Sequence, residues 1–169
     1  MNISTLQTER LDLIAPDASC DSAYQRFYTD PDASAAYGGP LLPGAIWSRL
    51  IYDLGSWHLQ GFGVWALRRR ADMTIIGVCG FWQGRGWPRE LTWWLLPEAR
   101  GQGYAIEASR AAVEHAYGEL GWDTVNTYCA DSNDAAIALI SRLGGMKINR
   151  QAFPDGEERN VYQIPRPMA

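Results

Sequence analysis

The stretch that most constrains this chain runs from Glu90 to Ala108: Glu-Leu-Thr-Trp-Trp-Leu-Leu-Pro-Glu-Ala-Arg-Gly-Gln-Gly-Tyr-Ala-Ile-Glu-Ala. Glu90 to Leu96 reads as a strand, and Pro97 stops it. Arg100 to Gly103 is a tight polar glycine loop. Ile106 to Leu120 then carries Ala108, Ala112, Val113, Ala116 and Tyr117 at helical spacing, with Gly121 as a C-terminal cap. A strand that feeds a glycine loop and then a helix leaves the first-turn amides without intrahelical partners. Their partial positive charge favours an anion, and Gly101 and Gly103 let the backbone approach a phosphate closely. The residues themselves therefore point to phosphate or diphosphate binding after the fourth strand. Neither common nucleotide fingerprint fits. Ile106 stands where Gly-x-Gly-x-x-Gly needs its third glycine, and no Gly-Lys-Ser/Thr follows.

The remaining elements fall around this unit. Leu11 to Ile14 reads as a short strand after Thr8-Glu9-Arg10, and Asp21 to Tyr28 as a short helix. Asp30 to Pro43, rich in Pro, Gly, Ala and Asp, reads as a loop. Ile46, Leu50, Ile51, Leu54 and Trp57 place a helix over about Ala45 to His58. Val64 to Arg69 and Ile75 to Trp82 form a hairpin across an Ala71-Asp72-Met73 turn. Thr124 to Ala130 is a strand. Asp131 or Ser132 caps a helix to Leu143, which Gly144-Gly145 ends. Met146 to Phe153 and Arg159 to Ile164 close the chain around a Pro154-Asp155-Gly156 turn. The order predicts one α+β (α/β) domain over residues 1–169, with a mixed sheet of about seven strands.

Composition removes several classes of function. A formal charge of -4, with no basic stripe beyond Arg68, Arg69 and Arg70, argues against a nucleic-acid groove. Cys20, Cys79 and Cys129 are odd in number and widely spaced, which predicts neither a disulfide framework nor a zinc site. His58 and His115 make no metal spacing with them or with each other. No segment approaches the ~20 apolar residues that span a bilayer, and no basic start precedes an apolar run near Met1. The expectation is a soluble, cytoplasmic protein without a metal. Eight tryptophans read as core side chains, some of which could wall a substrate cleft.

Arg100-Gly-Gln-Gly103-Tyr-Ala105 resembles the Gln/Arg-x-x-Gly-x-Gly/Ala signature of GCN5-related N-acetyltransferases. Thr8-Glu-Arg-Leu resembles the opening strand of the branch that acetylates ribosomal-protein N-termini. Tyr104-Ala-Ile-Glu107-Ala108 is similar to that branch's helix start. Asn133-x-x-Ala136 followed by Leu143-Gly144 resembles its later helix. The likeness spans Thr8 to about Ile164. Two positions depart from the pattern. Gly145 replaces a customary Phe, and Ile140 stands where many relatives carry a Tyr that protonates the departing thiolate.

The resemblance implies the acyl-CoA N-acyltransferase fold, about four helices flanking a sheet that splays between its fourth and fifth strands, with acetyl-CoA as co-substrate in that wedge. It implies that Leu95 and Leu96 offer backbone groups to the pantetheine arm. The amides of Arg100, Gly101, Gln102, Gly103, Tyr104 and Ala105 would hold the diphosphate, and Asn133 would touch the cofactor from the next helix. The partner would be an amine acceptor, either a protein N-terminus or a small molecule, and a homodimer is compatible.

The implied reaction is direct acyl transfer from acetyl-CoA to a neutral amine. It needs oxyanion donors, positioning of the two reactants, and a group that deprotonates an ammonium. Glu90 is the candidate base, as an acid at the start of the fourth strand. Ser141, beside Ile140, is the candidate for protonating or orienting the thiolate, with Tyr128 as an alternative. Glu107 complements the helix dipole or anchors a loop. No Gly-x-Ser-x-Gly elbow is present. A non-catalytic acyl-CoA sensor or accessory module, and a phosphate-ligand protein of unrelated fold, stand as competing readings.

Overall fold

The structure, a computed structural model, describes residues 2–168. In chain order the elements are β1 (Leu6–Gln7), β2 (Leu11–Ile14), α1 (Asp21–Thr29), α2 (Pro31–Ser34), α3 (Pro43–Gln60), β3 (Val64–Arg69), β4 (Thr74–Trp82), β5 (Glu90–Leu95), α4 (Tyr104–Gly118), β6 (Val125–Tyr128), α5 (Asp134–Arg142), β7 (Met146–Ala152) and β8 (Glu158–Ile164). The strands form two antiparallel sheets, ordered β1-β2-β3-β4-β5 and β6-β8-β7.

The expected α+β architecture is present, and its sheet is divided. β5 and β6 lie side by side without a ladder between them. Thr127 Oγ1 donates to the Leu91 carbonyl at 2.8 Å, and Arg89 Nη2 approaches the Thr124 carbonyl at 3.5 Å. These bridges climb both strands in the same direction, so β5 and β6 run parallel, as a helical crossover through α4 requires. The mixed character expected of one sheet thus exists only across this splay. The additional strand is β1, paired through Leu6↔Leu13 and Gln7↔Asp12.

Local chemistry explains where boundaries differ from the sequence reading. Asp30 to Pro43 is not wholly a loop. Asp30 caps α2 by accepting from the amides of Asp32 and Ala33 at 3.0 and 3.1 Å, with Pro31 at the first helical position. α3 likewise begins on a proline, Pro43. The cap of α5 is Asn133, whose Oδ1 accepts from the Ala136 amide at 3.2 Å. Asp131 is instead paired with Arg150 at 3.0 Å.

Each face of the five-stranded sheet is covered. On one side α4 lays Ala108, Ala112 and Ala116 against Trp65, Leu67, Cys79, Phe81 and Leu91, all buried. Small residues one helical turn apart let that helix approach closely. On the other side α1 and α3 bring Tyr24, Phe27, Ile46 and Leu50 onto Val64, Ala66, Val78 and Trp94. There Phe27 and Trp94 stack at 4.1 Å, and Tyr24 meets Trp94 edge-on at 5.2 Å. Trp57 and Trp65 are likewise core residues, in contact at 4.8 Å. Strand alternation puts Glu90, Thr92 and Trp94 on the α1/α3 face, while Leu91 and Leu95 pack toward α4. Among the described residues, no helix is long and apolar enough to cross a membrane.

Candidate active site

The splay opens a cavity of about 1390 Å³. Pockets for drug-sized ligands span roughly 300–1,000 Å³, so this one is large by that standard. It is walled by β5 on one side and by β6 and α5 on the other, with the start of α4 at one end and α1 to α3 at the other.

Backbone direction decides which strand groups reach it. Leu96 donates to the Ile76 carbonyl at 2.8 Å and accepts from the Ala99 amide at 2.9 Å. Both its backbone groups are engaged within the chain, its side chain is buried, and it does not line the cavity. The expectation for Leu96 is corrected accordingly. Alternation turns the backbone of Leu91, Trp93 and Leu95 the other way. The Leu91 carbonyl meets Thr127 and the Trp93 carbonyl accepts from the Tyr37 hydroxyl. Leu95 lines the cavity with no such partner.

At the loop, Gly103 is the N-cap of α4 with φ 81°, and no side chain caps the helix. Gly101 has φ 75°, also in the left-handed region where a side chain is disfavoured. The amides that open α4 thus have no side-chain cap and belong to residues that line the cavity, an arrangement an anionic oxygen can complete. Arg100, Gly101, Gly103, Tyr104 and Ala105 line the cavity, and so does Asn133 despite its capping bond. Gln102 does not. Its side-chain Nε2 donates to the Glu98 carbonyl at 3.0 Å, and its backbone carbonyl accepts from Arg10 at 2.8 Å. A brace from the N-terminal segment fixes this loop. Glu107 accepts from the Thr8 hydroxyl at 2.5 Å, the Arg10 amide at 2.9 Å and Arg10 Nε at 2.7 Å, and Arg10 also lies over the Tyr104 ring. Burial would raise the Glu107 pKa, but these donors from Thr8 and Arg10 outweigh it and hold the carboxyl below its ordinary value.

Glu90 lines the cavity at its centre, half-buried, opposite Trp82 on β4. Loss of hydration raises its pKa well above the usual carboxylate range; Arg159 and the Tyr128 hydroxyl offset this only partly. Tyr128 is buried, donates to the Pro88 carbonyl at 2.9 Å, and packs at 4.5 Å against Phe153. Burial, with Glu90 nearby, raises its phenol pKa. Ser141 is exposed on α5 and does not line the cavity. Its neighbour Ile140 is buried in the core beneath α4. The structure therefore gathers Glu90, Tyr128, Leu95, Asn133 and most of the glycine loop, and leaves out Ser141, Leu96 and Gln102.

Cys129 also lines the cavity, but burial, with Glu90 and Asp131 nearby, raises its thiol pKa, opposite to what a thiolate nucleophile needs. Among the described residues, no group of His, Cys, Asp and Glu is placed to hold a metal ion.

The far end of the cavity contains residues the sequence reading did not single out: Tyr28 from α1, Tyr37 after α2, and Arg49 and Asp53 from α3. They come from segments that give no motif. Asp53 at a position flanked by helical apolar spacing was the only available signal.

Residues 10–146 match the family of acetyltransferase (GNAT) domains. The chain is 31% identical to an acetyltransferase of known structure from Agrobacterium tumefaciens strain C58, over 98% of this chain and 96% of that one, with a TM-score of 0.88. It is 26% identical over 110 residues to the uncharacterized N-acetyltransferase YoaA of Bacillus subtilis strain 168. That alignment spans 61% of this chain and 62% of YoaA, less than two thirds of its length. The fold is shared with RimL, a ribosomal L7/L12 alpha-N-protein acetyltransferase solved with coenzyme A, which is 14% identical with a TM-score of 0.75 over 95% of this chain and 97% of that one. By the match over most of its length, and by the splayed strands and uncapped helix that the match predicts, this chain belongs to the acetyltransferase (GNAT) domain family.

Proposed function

We propose that the chain transfers an acetyl group from acetyl-CoA to a primary amine, on a small molecule or a protein N-terminus, by direct attack. The observation that carries this reading is the junction of two features. A parallel strand pair without a ladder opens onto the uncapped start of α4. The first offers strand backbone to an extended amide-bearing arm. The second offers amides to its diphosphate. Coenzyme A seated in a RimL of the same fold supports that assignment.

When bound, acetyl-CoA supplies an acyl carbonyl activated as a thioester. The chain does the rest by positioning and proton transfer. The β5 backbone at Leu95 and the amides of the loop from Arg100 to Ala105 orient the donor. Glu90 accepts the proton of the incoming ammonium, directly or through a water, and its raised pKa makes the ionised carboxylate a stronger proton acceptor. Tyr128 keeps its proton, because its pKa is raised, and is a hydroxyl beside Glu90 in the cavity that can serve the leaving thiolate. Holding both reactants in one cavity removes an entropic barrier of up to ~7–11 kcal/mol.

The test has two arms. CoA should raise the melting temperature far more than ATP does; ligand at ~100 times its Kd stabilises by ~2.7 kcal/mol. Thiol release from acetyl-CoA should then appear with at least one member of a panel of amino acids, polyamines, aminoglycosides and short peptides. CoA binding without release across the panel would favour a sensor, and no preference for CoA over ATP would end the reading.

A further inference from the structure

The far end of the cavity carries a carboxylate with one unpartnered oxygen. Asp53 is only 7% exposed. Its Oδ2 accepts from the Tyr24 hydroxyl at 2.6 Å, which fixes the side-chain rotamer. Among the described residues Oδ1 has no hydrogen-bond partner, it is not one of the fully enclosed unpartnered atoms, and Asp53 lines the cavity. A buried carboxylate with a free oxygen is unfavourable unless something completes it. Its nearest cation does not. Arg49, one helical turn away, donates to the Tyr28 hydroxyl at 3.2 Å and lies over the Tyr28 ring, and it makes no ion pair with Asp53.

Asp53 shares a wall with the candidate base. Val64, Val78 and Trp94 lie on the α1/α3 face of the sheet, and alternation along β5 puts Glu90 on that same face. Asp32 joins Asp53 and Glu90 in the lining, which also holds the aromatic rings of Tyr28, Tyr37 and Trp82 and the cations Arg49, Arg100, Arg142 and Arg159. Carboxylates set among aromatic rings favour cations, through charge-assisted hydrogen bonds and through the ring faces.

Resting on the acetyltransferase reading, we infer that the acceptor is a dicationic amine. One amine reacts at Glu90 while a second cationic nitrogen binds Oδ1 of Asp53. Burial lifts the Asp53 carboxyl to about 6, with the Tyr24 hydrogen bond and Arg49 acting against the rise. A protein N-terminus would meet this requirement only if its first side chain were basic.

The experiment compares α,ω-diamines with n-alkylamines of matched length in the thiol-release assay. The expected result is a kcat/KM for the best diamine about 10- to 100-fold above its monoamine, the range for a hydrogen bond to a charged group. In Asp53→Asn that ratio should fall toward one through the diamine KM. The melting shift with CoA reports whether the variant is folded. A wild-type ratio near one overturns the inference without needing the variant, as does a ratio that persists in a folded Asp53→Asn. If no amine is turned over, it is the acetyltransferase reading that fails. Calorimetry then decides the site: selective diamine binding lost in Asp53→Asn supports it, and no diamine binding sinks it.

Discussion

Arg10 and Glu107, 97 residues apart in sequence, meet through two hydrogen bonds at 2.7 and 2.9 Å and tie the turn before β2 to the first turn of α4. Because Arg10 also holds the Gln102 carbonyl, the pair fixes the loop whose amides face the cavity. Removing the carboxylate leaves the Thr8 hydroxyl and the Arg10 amide without their acceptor. Glu107→Ala should lower stability by about 1–3 kcal/mol, a fall of ~2–4 °C in Tm for each kcal/mol in a chain of this size. CoA affinity, read by calorimetry, should weaken with it. Unchanged CoA affinity would show that the brace does not set the loop.

Gly103→Val tests the loop directly. Its φ of 81° disfavours any L side chain by ~1–2 kcal/mol, and a Cβ there would stand 3.4 Å from Arg10 Nη2. The fold should survive while the melting shift with CoA disappears. A retained shift would place the diphosphate elsewhere.

Glu90→Gln separates the base from its surroundings. In the wild type, kcat/KM should rise with pH through an apparent pKa above the ordinary carboxylate range, because only the ionised form accepts a proton. The variant should lack that limb. Stability has a defined sign too. With its pKa raised in the fold, Glu90 binds more protons native than unfolded, so its charge opposes folding as pH rises above the unfolded value. Glu90→Gln should therefore raise Tm at pH 8 relative to wild type, with the gain vanishing near pH 4. A gain of equal size at both pH values would remove the desolvated charge as its cause.

Tyr128→Phe and Ser141→Ala form a contrasting pair. Tyr128 lines the cavity beside Glu90, whereas Ser141 is exposed outside it. Loss of the phenol should reduce kcat by about 10²-fold or more if it serves the thiolate. Ser141→Ala should leave kcat within about twofold, surface changes of this kind being near neutral. The reverse ranking would restore the serine.

Gly145 and Ile140 touch each other. The Gly145 amide donates to the Ile140 carbonyl at 2.8 Å, and a Cβ on Gly145 would fall 2.5 Å from Ile140 Cγ2. The branched side chain fills space that the glycine leaves open. Gly145→Phe alone should destabilise by about 1–3 kcal/mol through overpacking, and pairing it with Ile140→Ala should recover part of that loss. Strict additivity in a thermal double-mutant cycle would deny the coupling.

The amino-acid sequence alone located most of the elements and singled out the glycine loop. Apolar spacing located α3 and α4 to within a few residues, and Arg100 to Ala105 read as a candidate anion site, because helix capping and glycine backbone freedom act over a handful of neighbouring residues. Asp30-Pro31 was legible in principle as a cap and a first helical position, but the surrounding Pro, Gly and Ala hid it. Tertiary structure decided the rest. Leu95 and Leu96 are indistinguishable in composition. Only the β4 ladder, which engages the Leu96 amide with Ile76, shows which of them turns its backbone to the cavity. Ser141 looked suitable beside Ile140 until α5 packed with the serine outward. Asp53 gave no motif, since its meaning comes from Tyr24, Arg49 and the distant strand that carries Glu90. The hydration a carboxylate keeps or loses is set by every segment packed around it, and no local stretch of sequence records that.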